Sequence, residues 1–218
     1  MLRGNSTKHG AGFTLAGDRY DLVDLHETIH YLASENGPIH AHHDQFVLGL
    51  AYDVRHAYQG DRRTEPMADA NKTISYFAVD MLWPIFLTQL GLLRVAASYL
   101  PTQKSHQANL YRLEACAESA LSRLDANVSH QCGRWLSEFS ALPENYLIDF
   151  VSYQSYLYVS SSDTCKGRAR SLPSIMNDIS PYSPAYQAYE QEAKSVAEKE
   201  NCRPQDLYDH SEWPDFKW

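Results

Sequence analysis

The chain has 218 residues, 44% of them hydrophobic, which suffices for one substantial core and does not demand a second domain, so residues 1–218 are read as one. A formal net charge of −8 and a pI near 5.6 argue against a general affinity for nucleic-acid backbones, which reward a concentrated positive field. The longest apolar stretch, 81–99, is interrupted by Gln89 and Arg94 and has no companion, which argues against a membrane protein.

Cys116, Cys132, Cys165 and Cys202 are widely spaced and form no CxxC pair, so neither a zinc knuckle nor a thioredoxin-like motif is present. The opening carries Arg3, Asn5, Ser6 and Lys8 where a secretory signal would need an apolar core. Reduced thiols and a cytoplasmic location are the expectation. The only dense basic run, KGRAR at 166–170, reads as a solvated loop.

In chain order, 1–5 and 11–16 predict a strand hairpin around NSTKHG, with Phe13 and Leu15 on one side. From Asp21, Leu22, Leu25, Ile29 and Leu32 recur at helical spacing until Asn36, Gly37 and Pro38. This helix carries His26-Glu27-Thr28-Ile29-His30, a literal H-E-x-x-H. The spacing puts two imidazoles one turn apart, where they could share a zinc while the glutamate activates its water. The longer metzincin pattern fails, because Ala33 and Asn36 stand where Gly and His belong. A third ligand would have to come from His40, His42, His43 or a distant carboxylate, and the HAHH segment reads as a loop.

The stretch 44–62, DQFVLGLAYDVRHAYQGDR, organises the rest. Phe46, Val47, Leu50, Val54, Ala57 and Tyr58 share one helical face, Asp44 can cap the helix and Gly60 can end it. The other face carries Leu48 and Tyr52 beside Arg55, His56 and Gln59, with Asp53 at the margin, so the helix is expected to be covered on more than one side. Such a polar cluster is either a satisfied network or a site. The candidate binding residues are Tyr52, Asp53, Arg55, His56, Gln59 and Arg62, with Arg62, beyond the Gly60 break, the expected ligand contact.

A polar loop follows to 71, then the alternating run TISYFAV at 73–79 predicts a strand that joins the hairpin. Asp80 is the expected cap of a central apolar helix over 81–99, with Pro84 in its first turn and Arg94 facing Asp53. Helices are predicted over 103–125, 128–142, 144–159, 172–179 and from Ser183-Pro184 to 201, with a last turn over 203–208. Of these, 144–159 also has the Tyr and Val content of a strand. The aromatic ending SEWPDFKW requires a docking groove. The fold class is therefore α+β, mostly helical, with a small antiparallel sheet made of the N-terminal hairpin and one strand near 73–79.

The opening NSTKHGAGFTLAGDRYDL, the helix end YDVRHAYQGDR, the segment SYFAVDMLWPIFL and the ending ENCRPQDLYDHSEWPDFKW resemble an uncharacterised bacterial family classed as a domain of unknown function. The resemblance spans the whole chain and implies a single cytoplasmic domain, with no activity attached. In that family the helix after GD-x-x-D usually offers only its second histidine, here His30. It also implies that Asp53, Arg55, His56, Gly60 and Arg62 belong to the family pattern.

The leading function is a non-enzymatic interaction or regulatory protein, accessory to a bacterial stress or defence locus, with a protein partner or a second copy and no cofactor. The alternative is a metal-dependent hydrolase that uses His26, Glu27 and His30 with zinc.

Overall fold

In the computed structural model, which describes residues 1–34, 41–69, 72–139, 146–203, 207 and 213–218 (41–43, 66–69 and 72–74 through their backbone alone), the N-terminal hairpin forms as its pattern requires. β1 (Arg3–Ser6) pairs antiparallel with β2 (Gly12–Gly17), Arg3 opposite Ala16 and Ser6 opposite Phe13. The turn is closed by the Thr7 amide on the Gly12 carbonyl and the Gly12 amide on the Thr7 hydroxyl, both at 2.9 Å.

α1 (Arg19–Leu32) starts where the Asp18 carboxylate accepts from the amides of Tyr20 and Asp21, and it buries Leu22, Leu25, Ile29 and Leu32. α2 (Ala41–Gln59) begins before the expected cap. Asp44 lies inside its first turn, where a carboxylate still favours the helix dipole. His42 and His43 belong to that first turn rather than to a loop, and His40 lies outside the described residues. Gly60, at φ +88°, ends the helix in a conformation other residues adopt only under strain.

Residues 63–69, expected as loop, form a fourth strand. β3 (Arg63–Asp69) pairs with β4 (Lys72–Leu82), and the sheet order is β1-β2-β4-β3. A charged edge strand carrying Pro66 has the composition of a loop because edges are blunted by such residues. β4 runs past the expected 73–79 because β2 pairs with it as far as Gly12 opposite Leu82. Asp80 is therefore a strand residue and not the helix cap. Its carboxylate accepts from Thr14 Oγ1 at 2.5 Å and Arg63 Nη1 at 3.2 Å, tying both neighbouring strands to β4.

α3 (Trp83–Tyr99) takes its first turn from Pro84 and buries Trp83, Phe86, Leu90, Leu92 and Leu93 at the centre of the molecule. Gln89, the polar interruption, donates to the Phe46 carbonyl of α2 at 2.7 Å. Arg94 does not reach Asp53. It pairs with Glu114 at 3.1 Å, because its end of α3 runs beside α4 (Lys104–Leu124) while Asp53 is engaged by Arg62. Asn109 of α4 donates to Thr28 Oγ1 at 2.9 Å and to the Asp24 carbonyl at 3.2 Å, which fixes α4 on α1.

α5 (Ala126–Glu138) is shorter than the predicted 128–142, of which 140–142 lie outside the described residues. The ambiguous segment is helical: α6 (Leu147–Ser160) buries Leu147, Phe150, Val151, Gln154 and Tyr158. α7 (Cys165–Asp178) corrects two expectations. It starts well before 172, with Thr164 as cap, and it contains the KGRAR run, whose Arg168 is fully buried. Pro173 sits mid-helix, where it removes one backbone donor. α8 (Pro184–Glu200) begins at Ser183, as its Ser-Pro pair predicts, and is held on α6 by Tyr186 against Phe150.

The last turn expected over 203–208 falls mostly outside the described residues. The aromatic ending does dock: Phe216 packs on the main core and the Trp218 carbonyl accepts from the His9 amide at 2.8 Å. Cys116, Cys132, Cys165 and Cys202 are free thiols. Among the described residues no helix is long and apolar enough to cross a membrane.

Candidate functional site

α2 packs against α1, α3 and β4 through Val47, Leu50, Ala51, Val54 and Ala57, all fully buried, with Phe46 and Tyr58 partly so. The stripe read from spacing is therefore the packed face. Positions 52, 55, 56 and 59 follow one another at helical intervals of three and four, so they share the opposite face. That face is open, where fuller cover was expected: Tyr52 is 51% exposed, and Arg55 and Gln59 also face solvent.

The side chains on this face are ordered by one another. The Arg55 guanidinium lies over the Tyr52 ring, 5.4 Å from its centroid, and the rings of Tyr52 and His56 are 4.2 Å apart. His56 Nδ1 stands 2.7 Å from the Asp61 carboxylate, which the turn at Gly60 brings back toward the helix end. Arg62 donates to Asp53 at 3.2 Å. Burial raises the Asp53 carboxyl above its usual range, and the Arg62 hydrogen bond and charge oppose that rise. Arg62, the expected ligand contact, is thus engaged internally, whereas Arg55 pairs with no carboxylate among the described residues.

The two histidines of the H-E-x-x-H motif lie beside this face. On α1, His26 and His30 approach with their Nε2 atoms 3.1 Å apart, so one ring carries the proton that the other accepts. His26 meets the edge of Tyr58 with ring centroids 5.7 Å apart, and the Arg55 charge reaches it. The motif and the α2 cluster, separate in sequence, form one continuous surface. Glu27 is exposed, and among the described residues no group of three or more His, Cys, Asp or Glu is placed to hold a metal ion. Tyr58 and Asp61 were not among the sequence candidates. Tyr58 read as part of the apolar stripe, and Asp61 matters only once the Gly60 turn is known.

His26 is held below its ordinary pKa, first by desolvation, then by His30 and by Arg55, with Glu27 opposing. Its neutral form is favoured in the fold. The stability it contributes is therefore complete above about pH 6.5 and declines as pH falls from there toward the folded midpoint. Histidine-selective NMR should find the His26 midpoint lower than that of an unfolded-chain histidine. Arg55→Ala should raise it, and His30→Ala should raise it further. A His26 midpoint unmoved by Arg55→Ala would show that the two clusters do not communicate.

The mostly helical α+β fold thus presents tyrosine, arginine and histidine side chains of α1 and α2 on one surface. The chain belongs to the family described as Domain of unknown function (DUF6904), whose model matches residues 2–218. No curated protein and no solved structure matches it.

Proposed function

We propose that this chain acts as a single domain and is a non-enzymatic interaction or regulatory protein of the cytoplasm, which uses the outer face of α2 to bind a carboxylate-bearing segment of a protein partner. The observation that carries the reading is Arg55, spread over an exposed Tyr52 ring and paired with no carboxylate among the described residues. Tyrosine and arginine are the residue types on which binding energy concentrates, and a guanidinium already ordered on a ring loses little freedom on meeting an acid. Tyr52, His56 and Gln59 surround it, and the Asp53–Arg62 and His56–Asp61 pairs hold the end of the helix in shape.

The test is quantitative co-purification of the tagged chain from its own cells, with Arg55→Glu and Tyr52→Ala in parallel. A partner recovered in stoichiometric amount with wild type and lost with both folded variants is the expected result. The same associated proteins with all three chains would overturn it. Self-association through this face would appear as a dimer in sedimentation of wild type that Arg55→Glu dissolves.

One observation favours the hydrolase as second reading: the two Nε2 atoms of His26 and His30 converge. One zinc per chain in tag-free protein, lost together with a hydrolytic activity in His26→Ala, would put that reading first.

A further inference from the structure

Three arginines line one cleft to which α2 contributes no residue. Arg3 comes from β1, Arg112 and Arg123 come from α4, and the cleft of about 490 Å³ lies between that strand and that helix. Positions 112, 115, 116, 119 and 123 recur at helical intervals, so α4 turns a single face toward it. Gly4 allows the close approach, since a Cβ there would stand 2.5 Å from the Cys116 carbonyl oxygen. Leu2, Ala115 and Cys116 supply apolar surface between the arginines, and among the described residues no Asp or Glu lines the cleft.

Among the described residues none of the three guanidiniums faces a carboxylate. Arg123 donates to Ser119 Oγ at 2.8 Å, to Asn5 Oδ1 at 3.1 Å and to the Gly4 carbonyl, all uncharged acceptors that fix it across the cleft. Arg3 lies over the Tyr76 ring at 5.0 Å. Arg112 has no hydrogen bond or ion pair among the described residues. By contrast Arg62, Arg63, Arg94 and Arg134 each face a carboxylate. Asp21, whose charge reaches Cys116, is itself engaged by the Met1 ammonium. In a chain with a net charge of −8, three uncompensated cations in one concavity form a local field opposite to that of the whole.

We infer that this cleft binds a small organic phosphate, with the phosphate among Arg3, Arg112 and Arg123 and the apolar part against Leu2, Ala115 and Cys116. Guanidinium forks match phosphate oxygens in charge and geometry, and three of them suit a dianion better than a monovalent carboxylate. The volume is that of a small-molecule site. The net charge of −8 on the chain as a whole disfavours a polyanion.

The experiment is an NMR titration of the full chain with phenyl phosphate at near-physiological salt, beside benzoate and a short oligonucleotide. Saturable shifts confined to amides of 3–5 and 112–123 are expected, with benzoate weaker and the oligonucleotide no stronger. Arg112→Ala, which removes no internal contact, should leave the melting temperature unchanged and weaken phenyl phosphate by about tenfold, the loss of one charge-assisted contact. Equal affinity in Arg112→Ala, shifts that never saturate, or shifts elsewhere would overturn the inference. So would an oligonucleotide that binds the same amides more tightly, since the surface would then serve a polyanion.

Discussion

Replacing Arg168 with leucine should lower the stability of the fold by roughly 3 kcal/mol and release the C-terminal segment from the body of the protein. The side chain is fully buried. Its Nη1 donates to the His9 carbonyl at 3.2 Å and the Lys217 carbonyl at 2.6 Å, and its Nη2 donates to the Val159 carbonyl at 3.1 Å. Those acceptors belong to the β1–β2 turn, the chain end and the last turn of α6, so a single guanidinium gathers three segments around α7. Tyr158 reinforces the same junction by donating to the Gly10 carbonyl at 2.6 Å, and burial keeps its hydroxyl protonated by raising its pKa far above the usual range.

Leucine would leave three carbonyls without their donor, each costing about 1–3 kcal/mol if water cannot reach it. Removing a buried cation whose hydrogen-bond partners among the described residues are carbonyls offsets part of that loss. Arg168→Lys keeps the charge but has no planar fork, so it cannot span all three acceptors and should also be destabilised. Urea denaturation gives the stability change, and carboxypeptidase release of Trp218 reports the tail. A variant with an unmoved midpoint and a protected tail would show that the junction is held by packing alone.

Arg168 also marks where the sequence stops being legible. KGRAR reads as solvated because lysine, glycine and arginine usually are, and its true environment depends on carbonyls contributed from positions 9, 159 and 217. The same limit hid the partner of Arg94, since periodicity shows that α3 is apolar all round but not which neighbour its end meets. β3 was missed because an edge strand needs little apolar alternation when its pairing is supplied by β4. What could be read was local: the α2 stripe, the Ser183 and Pro184 start of α8, the Gly60 stop and the hairpin around residue 9. For the candidate surface, the shared face of Tyr52, Arg55, His56 and Gln59 follows from spacing alone. Its junction with His26 depends on how α1 and α2 pack, and the arginine cleft depends on β1 meeting α4, so neither leaves a trace in the one-dimensional pattern.

Two substitutions on α2, two positions apart, should separate scaffold from surface. Leu50 is fully buried on the inner face of a helix packed on α1, α3 and β4, and Leu90 is equally buried on α3. A leucine held between three elements leaves a cavity that cannot readily collapse, so Leu50→Ala should cost about 2–5 kcal/mol, toward the upper part of that range. Tyr52→Ala removes an exposed ring, its contact with His56 and the cation–π contact with Arg55, worth about 0.5–1 kcal/mol at an open site. Urea midpoints at unchanged slope should therefore fall strongly for Leu50→Ala and little for Tyr52→Ala. Binding should show the reverse order: the folded fraction of Leu50→Ala keeps the partner that fully folded Tyr52→Ala loses. A Leu50→Ala midpoint equal to that of wild type would remove α2 from the centre of the fold. Retention of the partner by Tyr52→Ala would leave the open face of α2 without the role assigned to it.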